Sequence, residues 1–164
     1  MRYFEEFFSN RIFFIVLFAW LLSCVIKGII EWIRNKKINW GRFFGPGGMP
    51  SSHSTIVACL ATCVGMSEGF DTALFVVCCA LALIVMYDAS GIRRAAGEQA
   101  KMINMIVEAW EEKDPVLKDE KLKELLGHTP LEVLGGAVLG VFVALVSGVW
   151  VFRWTDSIVG QIGR

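Results

Sequence analysis

Long apolar segments constrain the fold of this chain more than any other feature of its sequence. The first begins with the uncharged run Ile12–Ile26, and three further segments follow at 52–67, 72–88 and 131–152. The hydrocarbon core of a bilayer is about 30 Å thick, which a helix of roughly 20 apolar residues crosses. Hydrophobic residues make up 55% of the chain and charged residues only 20%, unlike a typical soluble domain. The sequence therefore predicts an all-α integral membrane bundle, a single domain of about four spans, the first covering 12–33.

A segment of different character, 91–126, connects the third and fourth predicted spans. From Gly91 to Glu112 its apolar residues recur with the period of one helical face. This pattern predicts an amphipathic helix that lies either at the membrane surface or against the bundle. The helix is expected to end at Asp114-Pro115, and a short surface helix is expected to follow it.

Small residues recur at every fourth position of the last apolar segment. Such a ridge lets another helix approach closely. The second helix can belong to the same chain or to a second copy, so the sequence leaves intramolecular packing and a homo-oligomer both open. The ridge consists of Gly136, Gly140, Ala144 and Gly148.

The charge balance and the cysteines exclude several classes of function. Sixteen Lys and Arg residues balance sixteen Asp and Glu residues, so nothing indicates a nucleic-acid partner. The five cysteines lie inside apolar segments and lack the spacing of zinc ligands, which is typical of small buried residues. We therefore expect neither a metal site nor a cofactor. The cysteines are Cys24, Cys59, Cys63, Cys78 and Cys79.

A loop of unusual composition, Gly47–Ser54 with the sequence GGMPSSHS, precedes the second apolar segment. Its glycines allow positive φ and a close approach to a ligand. The helix start that follows carries unpaired N–H groups and a partial positive charge, which suit an anion. A histidine at this place, His53, can transfer protons near neutral pH. The alternative is an ordinary helix cap with a histidine beside it.

A second histidine stands at the start of the last apolar segment. His128 and Glu132 are four residues apart, so their side chains can share one helical face. There a carboxylate can hold an imidazole in one tautomer and stabilise its cation, which makes His128 a candidate nucleophile. The alternative is a capping box over Thr129–Glu132, with Pro130 at the first helical position. Both hold only if the Glu132 side chain divides between two partners.

Four spans that alternate in direction bring separate loops to one side of the membrane. That side would hold both histidines of the chain, His53 and His128, together with Glu132. This convergence favours a functional site over two unrelated caps. Lysine and arginine are concentrated in the same loops, so we expect that side to be cytoplasmic, in the plasma membrane of a bacterium.

The charged residues near the predicted site each have two interpretations. Lys27 either extends to the membrane surface or reaches an anionic site. Arg93 and Arg94 follow the third span, where they either form a basic flank or bind phosphate oxygens in bidentate fashion. Arg42 lies in the basic loop before the second span, which can equally be a solvated positive flank. Asp88 either anchors an arginine or only ends its helix.

Three motifs, in order, resemble those of the type 2 phosphatidic acid phosphatase and vanadium haloperoxidase superfamily. Pro50–His53 is similar to its Pro-Ser-Gly-His motif, and His128–Gly136 looks like its final His-x-x-x-Asp motif with the Gly-rich helix after it. With Tyr87–Ala89 and Gly91–Gly97 they resemble the divergent branch of that superfamily, which consists of small membrane proteins. The resemblance extends from about Lys27 to Gly140, most of the chain.

The resemblance implies a metal-independent hydrolase that acts on a lipid phosphate or pyrophosphate. In that mechanism His128 attacks phosphorus and carries a phosphohistidine, Glu132 orients it, and His53 protonates the leaving oxygen. Glu132 stands where the superfamily has aspartate, and Ser52 where it has glycine. The phosphate would be bound by Arg42, by Arg93 or Arg94, and by N–H groups around Ser51 and Ser52; we add Lys27 as a further cation and Asp88 as a supporting residue.

An alternative from another class uses the same residues without catalysis. In it the chain is a non-enzymatic membrane protein that binds or translocates an anionic phospholipid or a polyprenyl phosphate. Release of phosphate from a lipid phosphate distinguishes the two.

Overall fold

The computed structural model describes residues 1–36, 48–111, 122 and 127–162, with the backbone alone at 93, 109–111 and 149–162. Every regular element within these ranges is a helix, as predicted. The helices are α1 (Arg2–Phe8), α2 (Arg11–Asn35), α3 (Ser52–Glu68), α4 (Ala73–Ser90), α5 (Ile92–Glu111) and α6 (Pro130–Ile162). The end predicted for the amphipathic helix at Asp114-Pro115 lies outside the described residues. Of the surface helix predicted after it, only Leu122 is described.

Local signals in the sequence fix where the helices begin. The Asn10 side chain accepts a hydrogen bond from the Phe13 N–H at 3.1 Å, which caps α2. Thr72 caps α4 in the same way through the Phe75 N–H, at 3.3 Å. Gly69, with φ of +106°, ends α3 and starts the short turn into α4. The helices α2, α3 and α4 therefore begin and end within a few residues of the predicted spans.

Within the described residues, three stretches are long and apolar enough to cross a membrane: Arg11–Asn35, Ala73–Glu108 and Pro130–Gly148. The second of them comprises α4 and most of α5. The helix α3 is not among them, because its 17 residues rise only about 26 Å against the roughly 30 Å of a bilayer core. It lies instead at the centre of the bundle, where α2, α4 and α6 all pack against it.

Small side chains fill the interior of the bundle, and large apolar side chains cover its outside. Phe18 of α2, Val77 of α4 and Phe142 of α6 are each more than half exposed. This is the arrangement of a protein whose helices associate through small residues and face lipid with large ones. The buried cluster at the centre contains Ile15, Ala19, Cys59, Cys63, Val143 and Ala144. The cysteines have the predicted role, since four are buried, Cys79 is half-buried, and all are free thiols.

The small-residue ridge of α6 packs against α3 of the same chain. A Cβ added to Gly136 would clash with the main-chain oxygen of Ser51, and one added to Gly140 would clash with that of Thr55. Ala144 and Gly148 are also buried. The structure thus uses the ridge for intramolecular packing. The homo-oligomer considered for the same ridge stays a prediction, although α3 of the same chain covers Gly136 and Gly140.

Two neighbouring glycines of α6 provide a direct test of this packing. Gly136→Ala is expected to lower the free energy of unfolding by about 1–3 kcal/mol, because the new methyl group would meet main-chain atoms. Gly135→Ala is the matched control, since its Cβ would meet only the flexible end of Met49, at 3.0 Å. Thermal unfolding in detergent measures both. Equal midpoints for the two variants would contradict the close approach of α6 to α3.

Candidate functional site

The start of α3 is bonded directly to the start of α6. Ser51 is the N-cap of α3: its Oγ accepts a hydrogen bond from the Ser54 N–H at 3.4 Å and another from the Ser54 hydroxyl at 3.1 Å. The Ser51 N–H donates to the main-chain oxygen of Glu132 at 3.0 Å. His53, in the first turn of α3, is thereby held beside the first turn of α6.

The hydroxyls of both motif serines are engaged inside the bundle. The Ser51 hydroxyl serves the cap of α3, whereas the Ser52 hydroxyl accepts a hydrogen bond from the Ser23 hydroxyl of α2 at 2.9 Å. The first two helical residues have no acceptor for their N–H groups inside a helix. A phosphate contact from this segment would therefore come from the N–H groups of Ser52 and His53. The sequence analysis did not identify Ser23. A serine inside an apolar span needs a hydrogen-bond partner, and this requirement could have indicated its contact with another helix.

His128 is held by both its main chain and its ring. Its N–H donates to the main-chain oxygen of Ala89, in the last turn of α4, at 3.0 Å. Its Nδ1 lies 3.2 Å from Oε2 of Glu132. The residue is only 4% exposed. Because Nδ1 is engaged with the carboxylate, Nε2 is the ring nitrogen that a substrate would meet.

The carboxylate oxygen that contacts His128 also closes the cap of α6. Oε2 of Glu132 accepts a hydrogen bond from the Thr129 N–H at 2.9 Å, and the Glu132 N–H donates to Oγ1 of Thr129 at 3.3 Å. These two bonds form a capping box. The contact with His128 and the capping box therefore coexist, because one carboxylate oxygen has two lone pairs to share.

The structure brings the two histidines of the chain together. The ring centroids of His53 and His128 are 6.4 Å apart, with 66° between the ring planes. His53 is exposed and His128 is buried, so the pair has one member at the protein surface. The predicted alternation of helix direction accounts for both histidines being at one end of the bundle, since α3 and α6 both start there.

Lys27 is enclosed at the site rather than extended to the membrane surface. It is 6% exposed, and its methylene groups pack against Gly48: a Cβ added there would lie 3.3 Å from Cγ of the lysine. Gly48 has a φ of +86°, a conformation that favours glycine. The Lys27 ammonium group also interacts electrostatically with Glu132. The sequence left both positions of Lys27 open, because the rotation of α2 decides between them.

Of the predicted arginines, Arg94 has a described side chain, and that side chain pairs with a residue of its own helix. Nε of Arg94 lies 3.1 Å from Oε1 of Glu98, one turn further along α5, and its side chain is 47% exposed. An exposed ion pair of this kind contributes about 0–1 kcal/mol, so Arg94 can leave it at little cost. Arg42 and the side chain of Arg93 lie outside the described residues.

Asp88 lies at one end of an open groove between α4 and α6. The groove has a volume of about 920 Å³. It begins beside His128, since Asp88 and Ser90 flank the residue whose oxygen accepts the His128 N–H. The groove depends on the spacing of two helices, which the sequence alone does not give. Apart from Asp88 and Ser90, its lining is largely apolar and includes Leu83, Ile84, Val133, Leu134 and Ala137.

The described residues offer no cluster of three or more His, Cys, Asp or Glu side chains that could hold a metal ion. The described side chains of the site supply imidazole and carboxylate groups. An oriented imidazole with a second imidazole facing it suits nucleophilic attack and proton transfer.

Comparisons with known proteins support the assignment of the chain as a membrane protein. The chain is 44% identical over 140 residues to the uncharacterized membrane protein YuiD of Bacillus subtilis (strain 168), a match that covers 79% of this chain and 89% of that protein. No solved structure matches the chain. The profile of the divergent PAP2 family matches residues 8–143, which include α2 to α5, both histidines and Glu132. On this evidence the chain is a membrane protein that belongs to the divergent PAP2 family.

Proposed function

We propose that this chain is a membrane phosphatase that hydrolyses a lipid phosphate or pyrophosphate through a phosphohistidine intermediate. The observation that carries the proposal is the contact between Nδ1 of His128 and Glu132, with the ring of His53 6.4 Å away. A nucleophile oriented by a carboxylate thus has a proton donor across the space that a phosphoryl group would occupy. Membership of a phosphatase-related family supports the same reaction class.

The proposed reaction has two steps and consumes one water molecule. In the first, Nε2 of His128 attacks phosphorus, the bond from phosphorus to the leaving oxygen breaks, and His53 gives its proton to that oxygen. Glu132 stabilises the positive charge that develops on the His128 ring. In the second, the neutral His53 takes a proton from water while the water oxygen attacks phosphorus. The phosphorus–nitrogen bond breaks, its electron pair returns to Nε2, and inorganic phosphate leaves.

Several groups near the histidines suit a phosphate ligand. The Lys27 ammonium group and the first N–H groups of α3 provide positive charge and donors. Arg94 can add a bidentate contact after leaving Glu98, and Arg42 and Arg93 are further candidates from the sequence. Asp88 would support the arginines. The apolar groove that begins beside His128 suits an acyl or polyprenyl chain, so a lipid rather than a soluble phosphate is the proposed substrate class.

One observation favours a second candidate function, binding or translocation of an anionic lipid without hydrolysis. His128 is only 4% exposed, whereas His53 is exposed. A protein that binds the headgroup at His53 without bringing phosphorus to Nε2 of His128 would not turn it over.

Release of inorganic phosphate from a panel of lipid phosphates tests the proposal. Purified protein in detergent is offered phosphatidate, a polyprenyl phosphate, a polyprenyl pyrophosphate and a soluble phosphomonoester. Turnover of at least one lipid is expected, with little turnover of the soluble ester. Tight binding of a lipid phosphate without any turnover would favour the second candidate.

The distribution of lysine and arginine supports a cytoplasmic site in the plasma membrane. An impermeant short-chain lipid phosphate should therefore be hydrolysed by inside-out membrane vesicles and not by right-side-out ones.

Glu132→Gln separates the role of this residue in orienting His128 from its role in the helix cap. Glutamine can retain the capping box but carries no charge to stabilise the imidazolium. We expect kcat to fall by about 10²–10⁴-fold, with little change in thermal stability. Thr129→Ala is the matched control: it removes the other half of the cap, costs about 1 kcal/mol of stability and leaves kcat near that of the wild type. Equal losses of kcat in the two variants would reduce Glu132 to a capping residue.

A further inference from the structure

The helix α5 carries a stripe of large apolar side chains that the described protein does not cover. Ile92, Met102, Ile103 and Ile106 recur at helical spacing on one face. They are 64%, 65%, 46% and 52% exposed, respectively. We call these four residues the apolar stripe of α5. An exposed face of this kind on a helix next to a membrane bundle indicates an interaction surface.

The opposite side of α5 is already occupied by the protein itself. Asn104 is 6% exposed. Its Nδ2 donates to the main-chain oxygen of Leu122, and its Oδ1 accepts from the Leu122 N–H, both at 2.9 Å. Leu122 is therefore hydrogen-bonded to this side of α5. The apolar stripe lies away from that contact, so it is a second surface with a different partner.

The apolar stripe continues the lipid-facing surface of the preceding helix. In α4, Leu83, Ile84 and Tyr87 are each about two-thirds exposed or more, and α4 belongs to a stretch long and apolar enough to cross the membrane. The stripe begins at Ile92, one residue after Gly91 separates the two helices. Asp88 and Ser90 lie between Tyr87 and Ile92, so the lipid-facing surface of α4 and the apolar stripe are close in sequence, with two polar residues where the helices join.

The charges of α5 are balanced rather than basic. Arg93, Arg94 and Lys101 are matched by Glu98, Glu108 and Glu111, so the helix has a net charge of zero. Attraction to anionic lipid thus contributes little, and apolar insertion is the remaining source of membrane affinity.

We propose that α5 lies in the membrane interface, with its apolar stripe inserted at the boundary of headgroups and acyl chains. In this position the Asn104 side of the helix faces the protein and keeps its two hydrogen bonds to Leu122. The partner is the lipid surface itself, without a requirement for anionic headgroups. This inference does not depend on hydrolysis, because it concerns only where α5 lies.

Spin labels at paired positions of α5 test the proposal in the full-length protein. Ile103→Cys and Ile106→Cys place labels on the apolar stripe, and Lys101→Cys and Glu108→Cys are matched controls on exposed polar positions. Wild-type protein treated in parallel corrects for labelling of the native cysteines. In vesicles of zwitterionic lipid, the stripe labels should be several-fold more accessible to oxygen than to an aqueous nickel chelate, and the control labels should show the reverse. The same result is expected with anionic lipid and at high salt.

Three outcomes would overturn the proposal. Equal access of the nickel chelate to all four labels would leave α5 in water. Oxygen access without nickel access at all four would mean that α5 crosses the membrane. Protection of the stripe labels from both reagents, with broadening between labels, would assign the stripe to a second copy of the chain. None of these readouts involves phosphate release, so failure here and failure of the proposed function remain distinguishable.

Discussion

Replacement of His128 by asparagine is expected to abolish phosphate release while leaving the fold intact. The asparagine side chain can still donate a hydrogen bond to Oε2 of Glu132 from the position of Nδ1, but it has no atom in place of Nε2. The bond between the main chain of residue 128 and Ala89 is independent of the side chain. Loss of a nucleophile costs on the order of 10⁴-fold or more in kcat, so activity should fall to background.

Four measurements on His128→Asn test this prediction. Phosphate release from the lipid found active in the panel should vanish. Wild-type protein quenched in alkaline denaturant during turnover should carry a small amount of an acid-labile, alkali-stable phosphoryl group that the variant lacks. Thermal unfolding in detergent should remain close to that of the wild type, and the lipid phosphate should still bind. Turnover by the variant, or a phosphoryl group found on His53, would show that His128 is not the nucleophile.

The convergence of the site could be predicted from the sequence because it follows from a count of helix directions. Consecutive apolar helices were predicted to alternate in direction, so the starts of α3 and α6 and the end of α4 were expected to share one end of the bundle. His53, His128 and Glu132 are all placed there by this argument. Their spacing in the chain was also informative, since a residue pair four apart at a helix start shares a face.

The choice among cations could not be predicted, because it depends on helix rotation and on loops. Lys27 is enclosed under Gly48 because α2 presents that face to α3, and no periodicity of α2 reveals which way it turns. Arg94 pairs with Glu98 on the exposed side of α5 for the same reason. The hydroxyls of Ser51 and Ser52 are likewise used for a cap and a helix contact, which only the packed structure shows.

The helix that packs against the glycine ridge could not be predicted from the sequence either. A ridge of small residues specifies close approach but not the helix that approaches. Gly136 and Gly140 receive the main chain of α3 within van der Waals contact, and this contact also sets the distance between His53 and His128. Gly136 and Gly140, which in the sequence also suggested a dimer, thus allow α3 and α6 to bring the two histidines close together.

Replacement of His53 by asparagine is expected to reduce activity in a way that depends on the leaving group. His53 is exposed in the first turn of α3, so the change should have little effect on stability. An alkyl alcohol leaves as an anion only at high cost, and loss of its proton donor should lower kcat by about 10²–10⁴-fold. A nitrophenol leaves without a proton. For an alkyl-substituted nitrophenyl phosphate, the first step should therefore slow by less than about tenfold.

The second step gives His53→Asn a signature that a merely structural role would not produce. Without His53 to take a proton from water, hydrolysis of the phosphohistidine becomes slow, so the nitrophenyl substrate should give a rapid burst of nitrophenol equal to the amount of enzyme, followed by slow turnover. The phosphoryl group on His128 should accumulate in quenched samples, whereas the wild type should hold little. Equal losses of the burst rate and of the alkyl-phosphate rate would make His53 a phosphate-binding residue instead of the acid. The two histidine rings are 6.4 Å apart, close enough to act on one phosphoryl group. The burst in His53→Asn and its absence in His128→Asn together test whether His128 binds that group covalently while His53 transfers the protons.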